Sequence, residues 1–376
     1  MKICLSNVTA SFLAGGLETY CWEVGRALAQ RGHAVTLATG IPPQGQAPRH
    51  TEIACVTFPF KIEQSWPKFG TRFRRLMERG SFYRHALDWL IQENFDAIII
   101  NKPFDFPYLW WAKQRGLKSK IVFRSGGREF FFADRWFAKA IDIWASTSRY
   151  NAAQVEAHYQ QPVQVIHNGV DAKRFTFQAS ERAILRQAWH TDYAIPLDGF
   201  VIGSVGRIVG WKGLRVILEA MPHLPTQVHY VACGEGDAQA ELAALATQLG
   251  VQHRVHFVGK IAHQALPNYL SAFDSFVQPS IGEESFGISV VEAMACARPT
   301  LVSNNGGLTE IIHSAAVGTV LPKGESLVWR EALANLVDNP TLCEQLGQAA
   351  RQRVLEHFTW ASNAAQLEAL IDQCTV

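Results

Sequence analysis

Short apolar runs alternate with amphipathic stretches along most of the chain, and they predict seven strands in the first half and five in the second. The predicted strands are Lys2–Asn7, His33–Thr39, Ile53–Phe58, Ala97–Asn101, Lys120–Arg124, Ile141–Ser146, Val163–Ile166, Phe200–Val205, Val228–Cys233, Val255–Val258, Ser275–Gln278 and Thr300–Ser303. Most runs are continuously apolar, as is typical of parallel strands covered on both faces. Two consecutive βαβ series therefore predict an α/β chain of two doubly wound, Rossmann-like domains.

Turn residues indicate where the two domains meet. Asn168-Gly169 ends one strand as a turn, and the stretch Pro196–Gly199 precedes the next strand. The sequence therefore predicts an N-terminal domain at 1–175 and a C-terminal domain that begins at residue 176. Ligands of such sheets bind at the carboxyl ends of the strands, so we expect two domains that face each other across a ligand-binding cleft.

Charge is unevenly distributed between the two predicted domains. Residues 1–175 carry 23 Lys and Arg against 14 Asp and Glu, a balance of +9, whereas residues 176–376 carry 12 against 19, a balance of −7. This asymmetry indicates different partners for the two halves, unless surface charge simply varies between domains. No nucleic-acid partner is expected.

Other features of the composition exclude several classes of protein. No apolar run reaches the roughly 18 residues that a membrane-spanning helix needs. The 7 cysteines form no CxxC pair, which favours a reduced, cytoplasmic protein. The 13 histidines show no HExxH or similar spacing, so neither a metal nor a cofactor is predicted. A dehydrogenase is disfavoured because no GxGxxG follows a strand.

Three sets of residues could hold an elongated, phosphate-containing ligand. Gly15 and Gly16 precede a helix, where backbone N–H groups can approach a phosphate, although a simple tight turn explains them equally well. Arg207 and Lys212 lie in a glycine-containing loop between a strand and a helix, where two cations can converge on a diphosphate. The alternative is a solvated pair of loop cations.

The third set is the stretch ESFGISVVE, which begins at Glu284 and ends at Glu292. The helix is predicted to begin near Gly287 or Ile288, so Glu284 lies in the loop and Glu292 in the helix. Glu292 can accept hydrogen bonds from two ribose hydroxyls, and Glu284 can reach a group beyond the phosphates. The alternative, a helix-start carboxylate plus an exposed helix acid, is less consistent with the joint pattern.

In order and spacing, these motifs resemble those of the retaining glycosyltransferases of family 4, which have the two-domain GT-B fold. The motifs that carry the resemblance are Gly15-Gly16-Leu17-Glu18, Arg31-Gly32-His33, Asn168-Gly169-Val170-Asp171 with Phe175, Gly206-Arg207 with Lys212-Gly213, Glu284 with Glu292, Asn305-Gly306-Gly307 with Glu310, and Phe358-Thr359-Trp360. The resemblance covers nearly the whole chain. It implies a C-terminal domain at 176–358 and a final helix at about 359–376 that packs back on the N-terminal domain.

The resemblance also implies a reaction and roles for the residues. The chain is expected to be a metal-independent, retaining hexosyltransferase that moves a sugar from a UDP- or GDP-sugar to a glycan or lipid-linked acceptor, in cell-surface polysaccharide or lipopolysaccharide biosynthesis. Arg207 and Lys212 would stabilise the leaving diphosphate. Glu284 would bind the transferred sugar and Glu292 the ribose. The remaining donor contacts would come from the backbone at Ile261, Phe286, Gly287 and Ile288.

One departure from the family pattern concerns the acceptor side. Family members often place a histidine after the strand that here ends at Arg124, whereas this chain continues Ser125-Gly126-Gly127-Arg128-Glu129. Ser125, Arg128 or Glu129 could replace the histidine, or the segment could be a turn with charged flanks. The departure keeps a second class open, namely a catalytically impaired sugar-nucleotide or glycan-binding protein of the same fold.

The stretch 66–91 predicts an amphipathic helix, which Gly80-Ser81 could split in two. Arg72, Arg75 and Arg79, with Lys68, form one flank of its apolar face. This pattern is typical of an interfacial helix on anionic lipid, and also of a core-facing helix with solvated arginines. An anionic membrane surface is therefore a further expected partner, with the protein peripheral on the cytoplasmic face of the inner membrane.

Overall fold

The computed structural model describes residues 1–13, 15–42 and 53–373 of the 376 residues. Ala14 of the predicted glycine turn and the last three residues of the predicted helix at 359–376 lie outside them. The described chain divides into two compact units, Met1–Asn168 with Trp360–Val376 and Gly169–Thr359. The N-terminal unit thus ends at Asn168 and not at residue 175.

In the N-terminal unit, the described residues form a parallel sheet of seven strands in the order β3-β2-β1-β4-β5-β6-β7. Its elements up to residue 165 are β1 (Lys2–Ser6), α1 (Gly16–Gln30), β2 (Ala34–Gly40), β3 (Ala54–Phe58), α2 (Thr71–Glu93), β4 (Ala97–Ile100), α3 (Phe106–Gln114), β5 (Lys120–Ser125), α4 (Asp134–Phe137), β6 (Ile143–Ser146), α5 (Arg149–Tyr159) and β7 (Gln164–Val165).

In the C-terminal unit, the described residues form a parallel sheet of six strands in the order β10-β9-β8-β11-β12-β13. Its elements are α6 (Ala179–Tyr193), β8 (Phe200–Val205), α7 (Arg215–Ala220), β9 (Val228–Cys233), α8 (Gln239–Gln248), β10 (Val255–Phe257), α9 (Leu266–Ala272), β11 (Ser275–Gln278), α10 (Ile288–Ala295), β12 (Thr300–Ser303), α11 (Leu308–Ile311), β13 (Thr319–Leu321), α12 (Ser326–Asp338) and α13 (Pro340–His357).

The segment after Asn168 belongs to the C-terminal unit because its contacts lie there. The N–H of Val170 donates to the carbonyl of Phe358 at 2.8 Å. The Phe175 side chain is 1% exposed and packs in the apolar core of that unit. The sequence predicted the boundary later because the asparagine-glycine turn does not reveal which core the following aromatic residue joins.

The chain returns to the N-terminal unit through α14 (Trp360–Gln373). Glu368 of this helix accepts a hydrogen bond from the Arg31 guanidinium at 2.6 Å, and its carboxylate lies 3.2 Å from His33. The rings of Trp360 and Tyr20 lie 6.0 Å apart. A motif at the end of α1, Arg31-Gly32-His33, therefore holds the last described helix in place.

Both sheets bury apolar side chains on both faces, which explains the continuous apolar runs. In the C-terminal unit, one core contains Trp189, Phe273 and Phe276, and the core on the other face contains Tyr230 and Trp329. The chain order changes direction at β1/β4 in the first sheet and at β8/β11 in the second. In doubly wound sheets, such switch points open a crevice at the carboxyl ends of the strands.

Candidate functional site

The switch point of the C-terminal unit brings together the loops that follow β8 and β11. Gly213 in the first loop has φ +69, and a Cβ there would lie 2.1 Å from the carbonyl oxygen of Pro279 in the second. Glycine is therefore required for this approach. The carbonyl of Trp211 accepts hydrogen bonds from the N–H groups of Ile281 and Gly282, each at 2.9 Å. Backbone contacts thus fix one loop against the other.

The Glu284 carboxylate joins the two loops through side chains. Its Oε1 accepts hydrogen bonds from Lys212 Nζ at 2.6 Å, Gln278 Nε2 at 2.8 Å and Ser280 Oγ at 2.7 Å. Glu284 is 8% exposed, so these bonds compensate a largely buried charge. The structure therefore brings Lys212 and Glu284 together as an ion pair, a contact that the spacing of the two motifs did not predict.

Arg207 differs from Lys212 in having no carboxylate partner in the part of the chain that the structure describes. Its side chain is exposed, forms no ion pair among the described residues, and lies 5.9 Å from the ring centre of Trp211. Arg207 and Lys212 line the same small cavity of about 10 Å³, together with Gln278. The two cations are thus neighbours, one neutralised by Glu284 and one available to an anion.

The second acid of the predicted pair lies on α10, which begins at Ile288 as predicted. Gly287 precedes the helix with φ +113, and a Cβ there would lie 2.5 Å from Leu308 Cδ2. The Phe286 ring is buried against Phe358. The N–H groups that begin α10 thus follow the loop that contains Glu284.

Glu292 is 5% exposed, and its Oε1 lies 3.0 Å from Nε2 of His263. The other ring nitrogen of His263, Nδ1, lies 3.0 Å from the Arg174 guanidinium. Neither His263 nor Arg174 was predicted as a site residue. A single sequence carries no signal for this contact, because the three residues lie in three separate segments.

The remaining predicted donor residues lie in different places. Ile261 is partly buried against the core of the C-terminal unit, close in sequence to His263. Gly15 and Gly16 belong to the N-terminal unit, where Gly15 precedes the first residue of α1 in extended conformation and both glycines are exposed. The other eight predicted donor residues all lie in the C-terminal unit.

On the acceptor side, Ser125 is 1% exposed and its hydroxyl donates to the carbonyl of Gly127 at 3.2 Å. Glu129 Oε1 lies 2.8 Å from Lys102 Nζ and 3.1 Å from Arg75 Nη1. Burial would raise the pKa of Glu129, but the Lys102 ammonium and the Arg75 guanidinium outweigh it and lower the pKa. Arg128 is exposed. The three predicted candidates therefore differ in accessibility.

The predicted membrane flank does not form one exposed surface. Helix α2 runs without a break through Gly80-Ser81, where a Cβ on Gly80 would lie 2.6 Å from the Tyr108 hydroxyl. Arg79 is 7% exposed and its Nε lies 3.7 Å from Asp105 Oδ1. Arg75 pairs with Glu129, and Arg72 is exposed. The prediction was therefore wrong for Arg79, because a buried aspartate from another segment attracts it inward.

Within the described residues, no helix is both long and apolar enough to cross a bilayer. In the same part of the chain, no group of three or more His, Cys, Asp or Glu side chains is arranged to hold a metal ion.

Two Rossmann-like units and a cationic crevice at a switch point define a doubly wound α/β protein with a candidate anion-binding site. Comparison with known families specifies this class further. The family model "Glycosyltransferase Family 4" matches residues 14–174, and "Glycosyl transferases group 1" matches residues 186–353. An uncharacterized glycosyltransferase of Methanocaldococcus jannaschii is 32% identical over 94% of this chain and 93% of its own length. The chain belongs to this glycosyltransferase family.

Solved structures show the same fold. Sucrose-phosphate synthase from Thermosynechococcus elongatus matches with a TM-score of 0.82 and 24% identity, covering 99% of this chain and 98% of that chain. The Anabaena protein HepE, in complex with UDP and glucose, matches with a TM-score of 0.79 and 19% identity, covering 99% and 100%. The predicted GT-B fold is confirmed by these similarities.

The buried Asp105 carboxyl generates a prediction about pH. Burial raises the pKa of Asp105 from 3.8 to about 6, although the Arg79 guanidinium opposes the shift. Between about pH 4 and 6, the native state keeps a proton that the unfolded state has lost, so this group's contribution to stability is lost as pH rises through that window. As pH rises from about 4 to 6, the free energy of unfolding of wild type should therefore fall relative to that of Asp105→Asn. The fall should be on the order of 1–3 kcal/mol.

Urea unfolding at several pH values between 4 and 6.5 measures this difference. Asp88→Asn is the matched control, because Asp88 is an exposed aspartate of α2 that pairs with Arg115. The free energy of unfolding of wild type should not fall in this way relative to that of Asp88→Asn as pH rises. A pH-independent difference for Asp105→Asn would contradict the assignment.

Proposed function

We propose that the chain is a retaining, metal-independent hexosyltransferase that takes a sugar from a UDP- or GDP-sugar and transfers it to a glycan or lipid-linked acceptor. The observation that carries the proposal is the meeting of Arg207, Lys212 and Glu284 at the switch point of the C-terminal sheet, with Glu292 on the helix that follows the Glu284 loop. Two cations, helix-start N–H groups and two carboxylates fit the chemistry of a nucleotide diphosphate sugar.

Each group has a role in this proposal. Arg207 and Lys212 stabilise negative charge that develops on the leaving diphosphate. Glu292 accepts hydrogen bonds from the ribose, and Glu284 accepts one from a hydroxyl of the transferred sugar. All described bonds of Glu284 go to Oε1, which leaves its Oε2 for the sugar. The HepE complex with UDP and glucose supports a donor of this class, and the pathway we propose is cell-surface polysaccharide or lipopolysaccharide synthesis.

The acceptor side of the proposal rests on the N-terminal unit. Glu129, with Lys102 and Arg75, offers charged groups near the end of β5, where the family often has a histidine. Ser125 would act through the hydrogen bond from its hydroxyl to the carbonyl of Gly127, since the residue is buried. Arg128 is the exposed cation of this segment. We further propose that the protein works in the cytoplasm.

The first test is turnover with Arg207→Ala. Removing one preorganised charge at the leaving group should lower kcat about 10²–10³-fold. Release of UDP or GDP in the presence of sugar nucleotide and acceptor measures the rate. Arg215→Ala is the matched control, because Arg215 is an exposed arginine of α7 that pairs with Glu219.

Lys212→Ala should also lose activity, but it leaves Glu284 without its cation and is expected to lower stability as well. Unfolding must therefore be measured beside the rate. Wild-type turnover in Arg207→Ala would contradict the leaving-group role. Binding of a sugar nucleotide without any transfer would favour the alternative of a catalytically impaired binding protein.

A second prediction is that transfer does not depend on a divalent metal. Arg207 and Lys212 supply the positive charge that a metal ion supplies to a diphosphate in other enzymes. Rates measured with EDTA in excess over total divalent ions should equal those measured without it. Loss of activity in EDTA, with recovery on addition of Mn²⁺ or Mg²⁺, would overturn the prediction.

The third prediction concerns peripheral association with an anionic membrane. The proposed contact now includes only those residues of the predicted flank and its apolar face that are exposed. Lys68 and Arg72 are exposed, as are the neighbouring rings of Phe69 (77%) and Phe73 (37%), whose centres lie 5.6 Å apart. Exposed aromatic residues flanked by cations suit a lipid surface. If each cation contributes about 1 kcal/mol, Lys68→Glu/Arg72→Glu should weaken binding to anionic liposomes at least about 30-fold.

Liposome sedimentation at low and high salt measures this binding. Arg84→Glu/Lys118→Glu makes the same change in net charge at exposed residues elsewhere in the N-terminal unit, and it should bind more nearly as wild type does. If wild type ignores anionic liposomes at low salt, or if both double variants lose binding equally, the patch is not a membrane contact.

A further inference from the structure

We propose that His263 is a positioning residue that orients Glu292 for the donor ribose, and that Arg174 holds His263 in the tautomer this task needs. The inference rests on the proposed function, because it assumes that Glu292 accepts hydrogen bonds from a ribose. It adds two residues that no motif of the sequence pointed to, and it gives each a separate role.

The tautomer follows from the chemistry of the partners. A guanidinium has only N–H donors, and Arg174 Nη2 lies 3.0 Å from His263 Nδ1 and 3.5 Å from Nε2, so the nearer nitrogen, Nδ1, is the one placed to accept. A neutral imidazole carries its proton on the other nitrogen. His263 therefore donates from Nε2 to Glu292 Oε1, which lies 3.0 Å away.

The ring of Phe175 helps to hold the Arg174 guanidinium in place beside His263. The guanidinium lies 4.8 Å from the ring centre of Phe175, and the rings of Phe175 and His263 lie 5.6 Å apart. Phe175 is itself 1% exposed in the core. The arginine is thus braced by a buried ring, and the imidazole is held between a fixed cation and a buried carboxylate.

The hydrogen bond from His263 occupies only one oxygen of the Glu292 carboxylate. His263 contacts Oε1 of Glu292, and the hydrogen bonds of the described side chains do not engage Oε2. The Glu292 side chain is 6% exposed, whereas that of His263 is 31% exposed. A carboxylate that is fixed through one oxygen presents its other oxygen in a single direction. Hydrogen bonds from neighbouring residues orient ligand-binding carboxylates and imidazoles in the same way.

The contact also couples two parts of the donor site. His263 follows β10 in the same loop as Ile261, whereas Glu292 lies on α10. A change in this loop should therefore alter the affinity for the ribose as well as the donor contact proposed for Ile261. One chain of hydrogen bonds thus links Arg174, His263 and Glu292. These residues are distant in sequence, and all three lie in the C-terminal unit.

The test compares ribonucleotides with their 2′-deoxy counterparts. UDP, GDP and ADP are titrated by calorimetry, and the base that binds wild type most tightly is then paired with dUDP, dGDP or dADP. A hydrogen bond to a charged group makes wild type prefer the ribonucleotide by roughly 10-fold or more. In His263→Ala this preference should fall to within about 3-fold, while affinity for the deoxynucleotide changes little.

Two conservative variants separate positioning from general packing. Gln places an amide nitrogen near the site of Nε2, so His263→Gln should keep most of the preference. Asn reaches only the site of Nδ1, so His263→Asn should lose it. With sugar nucleotide as substrate, His263→Asn should raise KM for the donor with little change in kcat, since the ribose does not change in the transition state. Unfolding should be similar for the two variants.

The outcomes distinguish this inference from the function on which it rests. If wild type binds none of the three nucleotides, or binds ribo- and deoxynucleotide equally, the role of Glu292 in the proposed function fails and the inference fails with it. If wild type discriminates and His263→Ala and His263→Asn discriminate equally well, the proposed function stands and the role of His263 is refuted.

Discussion

The carboxylate of Glu284 is the constraint on which the candidate site depends. One of its oxygens accepts hydrogen bonds from Lys212 in the loop after β8, Gln278 at the end of β11 and Ser280 in the loop after β11. Removing it would take the acceptor from Lys212 Nζ and Ser280 Oγ and leave Gln278 Nε2 only its bond to Ser280 Oγ, and each such loss is costly. Because charge-assisted bonds are short and directional, the same carboxylate also fixes where the ammonium of Lys212 lies before any ligand arrives.

This arrangement sets the charge that a ligand meets. The two cations and the one carboxylate leave a single positive charge, which resides on Arg207. In the reaction we propose, a diphosphate brings more than one negative charge, so the lysine would shift part of its interaction from Glu284 to the ligand as charge builds on the leaving group. A group held in place in advance needs little reorganisation for this, which is the condition under which electrostatic stabilisation is most effective.

The strands could be predicted from sequence because burial on both faces makes them continuously apolar. Phe200–Val205, Val228–Cys233, Ser275–Gln278 and Thr300–Ser303 have the predicted bounds, and the other predicted strands differ by one or two residues at either end. The strand Thr319–Leu321 was missed because it has three residues, of which only Leu321 is buried. Gly80-Ser81 does not break α2, because Tyr108 packs against the glycine and donates to the carbonyl of Leu76.

The site was predictable where a motif lies within one segment and unpredictable where a partner comes from another. The position of Glu284 before a helix that starts at Ile288 follows from local turn and helix signals. Whether each cation is paired does not follow from local signals, since it depends on which carboxylate the fold brings near. Arg79 and Arg207 are the same residue type in cationic stretches, yet Asp105 holds one in the interior and no described acid holds the other. An arginine's availability to a ligand is thus a property of the tertiary structure, and spacing alone determines only the element on which it lies.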